Sequence, residues 1–217
     1  MVEITVDQFS AHRTPKGRSA LHPASTAVLV VDMLADFCLP GGAMVLPGYE
    51  RLIAPQNAVI RALRETGGTV IYIVDAHRPQ MRRDREFLKR APHCIEGTPG
   101  CAIVPELDQQ PSDITVLKRR FSGFFNTDLD LTLRDMMVDT VIVMGVVTNI
   151  CVRSTVHDAF FHGYNVIVPH DCCAATGPRE QVSTLYDIST HFGVVSDAAS
   201  IVASLREGAP VTELQID

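Results

Sequence analysis

Three apolar, mostly β-branched runs in this chain each deliver a reactive side chain at their carboxyl end. Thr26–Val31 runs into Asp32, Ile114–Leu117 into Lys118, and Thr140–Met144 into the segment Gly145–Cys151. Runs of this kind, without strict polar alternation, suit strands buried on both faces of a parallel sheet. Helical patterns separate them, and strand–helix alternation specifies a doubly wound α/β domain. In such a sheet the carboxyl ends of the strands meet at the edge where a ligand crevice opens. An acid, an amine and a thiol brought to that edge are the parts of an activated cysteine nucleophile.

The whole pattern fits one domain, a mostly parallel sheet of about six strands with helices on both faces. Expected strands are Ala27–Val31, Thr69–Val74, Ile114–Leu117, Val141–Met144, Asn165–Val168 and a short Val194–Val195. Expected helices cover Tyr49–Glu65, Asp128–Met137 with Thr127 or Asp128 as its cap, Asn149–His162, Arg179–Phe192 and Ala198–Arg206. Gly67-Gly68 and Gly163 supply helix stops. Residues 1–22 are polar and irregular and read as an N-terminal arm. Residues 23–217 form the domain proper.

Charge and cysteine usage remove several classes of function. The net charge is −6 and the basic clusters are short, so no stripe neutralises a nucleic-acid backbone. No apolar run reaches the length of a membrane span, and the start lacks a signal-peptide pattern, so a cytoplasmic protein is expected. Six cysteines without a CxxC pair suit neither a secreted disulfide framework nor a thiolate zinc site. Adjacent Cys172 and Cys173 are expected to place one thiol inward and one outward, and Cys94 to be buried. There is no Walker A loop, no GxSxG elbow and no GxGxxG after the first strand, so no nucleotide cofactor is indicated.

Cys151 falls about one turn into the helix expected after the fourth strand. Unpaired N–H groups and the helix dipole there favour a thiolate and offer an oxyanion site. A buried, inert hydrophobe is the competing reading of the same residue. A lysine directly after a buried strand snorkels or pairs with a carboxylate, and Asp32 is the nearest candidate at the crevice edge. The stretch 75–112 is unusually long for a loop and carries five prolines, so it is expected to fold over the crevice. It holds Asp75, His77, Glu86 and His93, a set that suits zinc, iron or manganese. Turn capping and ordinary surface charge are the competing readings of these four.

Asp32-Met33-Leu34-Ala35-Asp36-Phe37, the run Lys118–Asp130 and Gly145–Val152 together resemble the isochorismatase-like cysteine hydrolases, over about Ala27–Leu205. The resemblance implies Cys151 as nucleophile, Asp32 as general base and later acid, and Lys118 as the charge that orients them. It implies a cis peptide at Val146–Val147 that aims the Val147 N–H, with that of Cys151, at an oxyanion. The stretch Asp75-Ala76-His77 followed by Ala91–Gly100 is similar to the nicotinamidase/pyrazinamidase branch. There the Asp and both His hold a divalent metal that binds the substrate's ring nitrogen, and Glu86 stands where some members add a glutamate.

Phe37 and Phe121 match aromatic positions lining that branch's pocket. Arg90-Ala91 replaces its usual aromatic residue, and Arg90 is left to stack on a ring, to pair with a substrate carboxylate or to face solvent. The expected activity is hydrolysis of a small, heteroaromatic carboxamide to carboxylate and ammonia through a thioester, with nicotinamide as the leading example. A metal-free N-carbamoyl or ureido amidohydrolase is the first alternative. Isochorismatase-type hydrolysis is a weaker one, because members with that chemistry lack the cysteine. A homo-oligomer is expected from the family alone. His157 reads as structural or as part of a subunit contact, and Cys172 and Cys173 as packing residues.

Overall fold

The computed structural model describes residues 19–216. Among the described residues there are seven strands: β1 Thr26–Val31, β2 Thr69–Asp75, β3 Ile114–Lys118, β4 Thr140–Val146, β5 Asn165–Pro169, β6 Cys173–Ala174 and β7 Val194–Ser196. Six helices join them: α1 Ala35–Cys38, α2 Glu50–Glu65, α3 Leu129–Asp135, α4 Arg153–Phe161, α5 Pro178–Asp187 and α6 Ala198–Glu207. All strand pairs are parallel and the order is β3-β2-β1-β4-β5-β7, with β6 paired to the end of β4. Winding runs outward from β1 through β2 to β3, then restarts on its other side at β4. The switch point of the sheet therefore lies between β1 and β4, the place where open α/β sheets bind ligands.

The two central strands are buried, β1 along its whole length and β4 from Val141 onward, and side chains from both faces join one hydrophobic core. That is why the sequence shows continuous apolar runs there rather than alternation. Outer strand β3 does alternate, with Val116 and Lys118 inward and Thr115 and Leu117 outward. Gly145 is required where β4 passes β1. Its φ is 119°, and a Cβ there would meet the Val31 carbonyl oxygen at 2.0 Å. Helix α6 is closed at both ends, by the Asp197 side chain accepting from Ser200 N–H at 2.7 Å and by Gly208 at φ 71°.

Several sequence expectations need correcting. The helix expected from Asn149 to His162 is a π-helical turn, Thr148–Val152, followed by α4. The one expected over Arg179–Phe192 likewise ends as α5 followed by a π turn, Ile188–Phe192. Helix α3 is two residues shorter than expected at its C-terminus, because Met137 takes φ 55°. Its start is held by Thr127, whose hydroxyl accepts from Leu129 N–H at 3.3 Å, and not by the Asp128 side chain. Strand β6 has only two residues, too short for a periodicity argument. It turns Cys172 and Cys173 both into the protein, at 0% and 3% exposure, rather than one in and one out. Residues 1–18 of the expected arm lie outside the described residues. From its remainder, Leu21 is anchored by its N–H on Ser204 Oγ of α6 at 2.9 Å. Among the described residues no helix is long and apolar enough to cross a membrane.

Candidate active site

Asp32 leaves β1 and Cys151 follows β4, so they face each other across the switch point. Asp32 sits at φ 53°, a left-handed conformation that Asp tolerates better than most residues. The turn is fixed by its N–H on the Ile73 carbonyl at 3.0 Å and by Leu34 N–H on its own carbonyl at 2.8 Å. Lys118 ends β3, two strands away. Asp75 ends β2 in register with it. The lysine side chain therefore has to cross β2 to reach the centre of the sheet. It passes Asp75 Oδ1 at 3.5 Å and reaches Asp32 Oδ2 at 2.8 Å and Cys151 Sγ at 3.8 Å. Asp32 and Cys151 thus meet at one ammonium group, and the other Asp32 carboxylate oxygen, Oδ1, accepts the Asp75 N–H at 3.0 Å.

Burial sets the charges of this group. Asp32 and Lys118 are fully buried and Cys151 is 7% exposed. Loss of solvent pushes Asp32 up to about 6, opposed by the lysine charge and reinforced by Asp75. Lys118 is held well above its ordinary value: burial opposes its charge, but Asp32, Cys151 and Asp75 outweigh that. The Cys151 thiol is pushed well up by burial, with the Asp32 and Asp75 charges adding to the effect against Lys118. Burial thus works against the thiolate that a helix N-terminus was expected to favour, and Asp32, on the same ammonium as the sulfur, is placed to act as its base.

The loop after β2 brings Asp75, His77, Glu86 and His93 together. All four are buried, and their ligand atoms lie within 4.8 Å of one another. His77 Nε2 is 3.3 Å from Asp75 Oδ2 and 3.7 Å from Glu86 Oε2, and His93 Nε2 is 3.6 Å from Asp75 Oδ2. The far side of each ring is occupied. His77 Nδ1 bonds Asp84 Oδ2 at 2.8 Å, and His93 Nδ1 bonds the Ala91 carbonyl at 2.8 Å. These outer acceptors favour the Nδ1–H tautomer, which turns each Nε2 toward the other ligand atoms, where His77 Nε2 bonds Asp75 Oδ2. Both Glu86 oxygens are buried without a hydrogen-bond partner among the described residues, a costly state that a cation would relieve. Burial and the Asp75 charge push Glu86 up to about 7. His77 rises to about 9, because bonds and charges from Asp75 and Asp84 exceed the burial that opposes its protonation. The donor set fits a site for a divalent metal, whose binding would displace these protons.

A cavity of about 870 Å³ opens over both groups. Cys151, Asp75, Glu86 and His93 reach it from below. Phe37, Phe121, Val146, Val147 and Arg90 line it. The Val146–Val147 peptide is cis. Every sequence-derived site residue is thus in one place. Others were not foreseen. Asp84 binds His77 through one oxygen and accepts the Glu86 N–H through the other at 2.9 Å. Phe87 packs on both histidine rings, at 4.6 and 5.3 Å between centroids. Asp36 ties the loop to α1 by accepting the Cys94 N–H at 2.6 Å, and Gly100 is needed because a Cβ there would meet that carboxylate at 2.2 Å. Asn149 exchanges two hydrogen bonds with Thr176, at 3.0 and 3.2 Å, and so brings Thr176 to the cavity wall. The available signals were Asp84, seven residues after His77 and two before Glu86, and Asp36, inside the motif that opens at Asp32; neither has a periodicity. Of the other sequence candidates, His157 stacks on Phe192 at 4.0 Å, away from the cavity, and Cys94 is fully buried.

Residues 26–200 match the model of the isochorismatase domain. Over 217 aligned residues the chain is 33% identical to the ureidoacrylate amidohydrolase RutB of Agrobacterium fabrum, covering 89% of this chain and 95% of that one. A cysteine hydrolase from Pseudomonas syringae superposes with a TM-score of 0.82 at 31% identity, covering 90% of this chain and 99% of that one. The pyrazinamidase of Pyrococcus horikoshii, solved in complex with zinc, superposes with a TM-score of 0.74 at 30% identity, covering 80% and 99%. The chain belongs to the isochorismatase family and is one of its amidohydrolases, hydrolysing a C–N bond.

Proposed function

We propose that this protein is a metal-assisted cysteine amidohydrolase that converts a small, heteroaromatic carboxamide to its carboxylate and ammonia. The observation that carries the reading is a shared carboxylate. Asp75 touches Lys118 through Oδ1 and both histidines through Oδ2, so the thiol group and the four-ligand cluster open side by side into one cavity.

Asp32 takes the proton of the Cys151 thiol as sulfur attacks the amide carbon and an S–C bond forms. Lys118 stays charged throughout and stabilises the carboxylate and the developing thiolate. The carbonyl oxygen gains the negative charge beside the Val146–Val147 turn and the start of the π turn, where backbone N–H groups serve as donors. Asp32 returns its proton to nitrogen, the C–N bond breaks and ammonia leaves. Water then attacks the thioester, gives a proton to Asp32, and the C–S bond breaks to release the acid and restore the thiol. A carboxyl with a value of about 6 suits both directions of proton transfer near neutral pH. Asp75, His77, Glu86 and His93 would hold a divalent metal, which supplies a Lewis-acid anchor for a donor atom of the substrate. Phe37 and Phe121 flank the ring, and Arg90 stands at the mouth.

A ureido compound is the second reading, favoured by the relatives named ureidoacrylate amidohydrolase, which span nearly the whole chain. Both readings use the same triad and release ammonia from a terminal amide nitrogen. A screen of ammonia release over nicotinamide, pyrazinamide and small ureido acids, with and without chelator, separates them. Chelator-sensitive turnover of the ring amides supports the first reading. Chelator-indifferent turnover of ureido acids alone replaces it with the second.

A further inference from the structure

The cavity walls are uneven in charge. Phe37, Leu46, Pro47, Phe121 and Ile150 among others make most of the lining apolar. Among the described residues, the carboxylates that line it are Asp75 and Glu86, both within the buried ligand cluster. The remaining charges are cations: Arg85, Lys89 and Arg90 from the loop after β2, and Arg120 just beyond β3. They are concentrated there in a chain whose net charge is −6, so overall basicity does not account for them. Among the described residues Arg85, Lys89 and Arg90 form no ion pair. Arg90 spends one N–H on the Lys89 carbonyl at 3.0 Å. Arg120 is partly neutralised by Asp84 Oδ1 at 3.6 Å. Outside the cavity, Arg61, Arg64, Arg119, Arg134, Arg153 and Arg206 each pair with a carboxylate within 3.0 Å, whereas Arg51, Arg78, Arg82, Arg83 and Arg179 form no ion pair among the described residues, so it is the clustering of Arg85, Lys89, Arg90 and Arg120 on one cavity that sets them apart. Unpaired cations around an apolar, partly enclosed cavity focus a positive potential into it. Arginine in particular binds carboxylates through a planar pair of donors.

We infer that Arg85, Lys89, Arg90 and Arg120 form an anion-binding wall opposite the thiol, and that the natural substrate is an amide carrying a carboxylate at its far end. The inference rests on the amidohydrolase reading of Cys151 and narrows its substrate class. It assigns the two ends of the substrate. The amide end lies over Cys151, Asp32 and Lys118, and the acid end lies under the loop that carries Glu86 and His93. A neutral ring amide would fill the first and leave the second empty. Arg90, which the sequence left between stacking, pairing and solvent, is assigned to pairing.

A pair of alkylating probes of nearly equal size tests the wall without knowledge of the substrate. Iodoacetate is anionic and iodoacetamide is neutral, and both mark Cys151. The ratio of their rates on the intact protein, divided by the same ratio for glutathione, reports the potential felt at the sulfur. The expected ratio exceeds that of the small thiol about tenfold at low salt, and falls toward it as salt is raised. It falls likewise in the triple variant R85A/K89A/R90A and in R120A. These side chains are exposed or half-exposed, so the variants keep the fold, and the iodoacetamide rate serves as the control for an intact site. A ratio equal to that of glutathione, or one that neither salt nor the substitutions move, overturns the wall. Turnover adds a second arm. Ammonia release from 5-carbamoylpyridine-3-carboxylate is compared with that from nicotinamide, and from 3-ureidopropionate with that from propylurea. A higher kcat/KM for the acid of a pair, lost through KM in the triple variant, supports the inference, and equal or better use of the neutral member contradicts it. Absence of ammonia from every amide would remove the amidohydrolase reading while leaving the probe ratio to decide the wall by itself.

Discussion

The triad and the ligand cluster share Asp75 but are built in opposite ways. Asp32 and Lys118 are held by the parallel sheet, at positions fixed by strand register, and Cys151 by the tight turn that leaves β4. His77, Glu86 and His93 come from a stretch with no regular element longer than three residues between β2 and β3. The first group is positioned by ladder hydrogen bonds that cost nothing extra. The second needs its own fastenings. His77 N–H bonds the Cys94 carbonyl at 2.7 Å, Glu96 N–H bonds the His77 carbonyl at 2.8 Å, and Asp36 and Asp84 each hold a further point of the loop. Chemistry that must not move is placed on the sheet. The part that varies with substrate is placed on a loop and tied down by side chains.

That contrast can be broken at known points. The largest effect is expected from Cys151→Ala, which should lower ammonia release by at least about 10⁴-fold with an unchanged circular dichroism spectrum. Residual turnover near the wild-type rate would remove the nucleophile. Lys118→Met leaves two buried carboxylates facing each other without a cation. Breaking a buried pair in this way costs about 3–5 kcal/mol, so denaturant unfolding should show a loss of that order as well as lost activity. Stability close to wild type would mean that the lysine is not the charge holding the site.

Loop substitutions should be milder and confined to the metal. His77→Ala should abolish binding of zinc or manganese by the purified protein and raise KM for ring amides, while Cys151 still reacts with iodoacetamide. Asp84→Asn should weaken metal affinity by about 10–100-fold, read by titration calorimetry, through loss of the charged partner that orients His77. Unchanged affinity would show that the ring is held by other contacts. The cluster also binds metal against protons, since His77 lies near 9 and Glu86 near 7. Metal affinity should therefore rise with pH from about 6 to 9. The base has its own signature. Asp32 is deprotonated above about 6, so kcat/KM should fall as pH drops through that value. Alkylation of Cys151 should be slower in Asp32→Asn across neutral pH.

What the sequence revealed follows the same division. Asp32, Lys118 and Cys151 were legible because an apolar run ends at a definite residue, and strand order converts chain position into place. The strands and long helices were read for the same reason. The π turn at Thr148–Val152 was not, because its apolar residues carry the same spacing as the start of an ordinary helix. Nor was the upward push of burial on the Cys151 thiol, since burial is a sum over the whole fold, and three neighbouring charges come from three separate strands. In the loop, Asp75, His77, Glu86 and His93 stood out as ligand types, and the family resemblance gave them a purpose. Asp84 stayed hidden in the run Arg82–Arg85, where an acid among arginines reads as surface charge. Cys172 and Cys173 were misassigned because adjacent residues alternate only within an extended strand, and the turn before β6 rotates both inward.

The central claim is that the acid product forms by way of a covalent bond to Cys151. Acid-quenched enzyme, mixed for milliseconds with the amide it turns over fastest, can be weighed intact and mapped by peptide mass spectrometry. An adduct on the peptide containing Cys151, equal in mass to the substrate less ammonia and absent from Cys151→Ala, is the predicted result. Ammonia released in a burst with Cys151 unmodified at every quench time would contradict it.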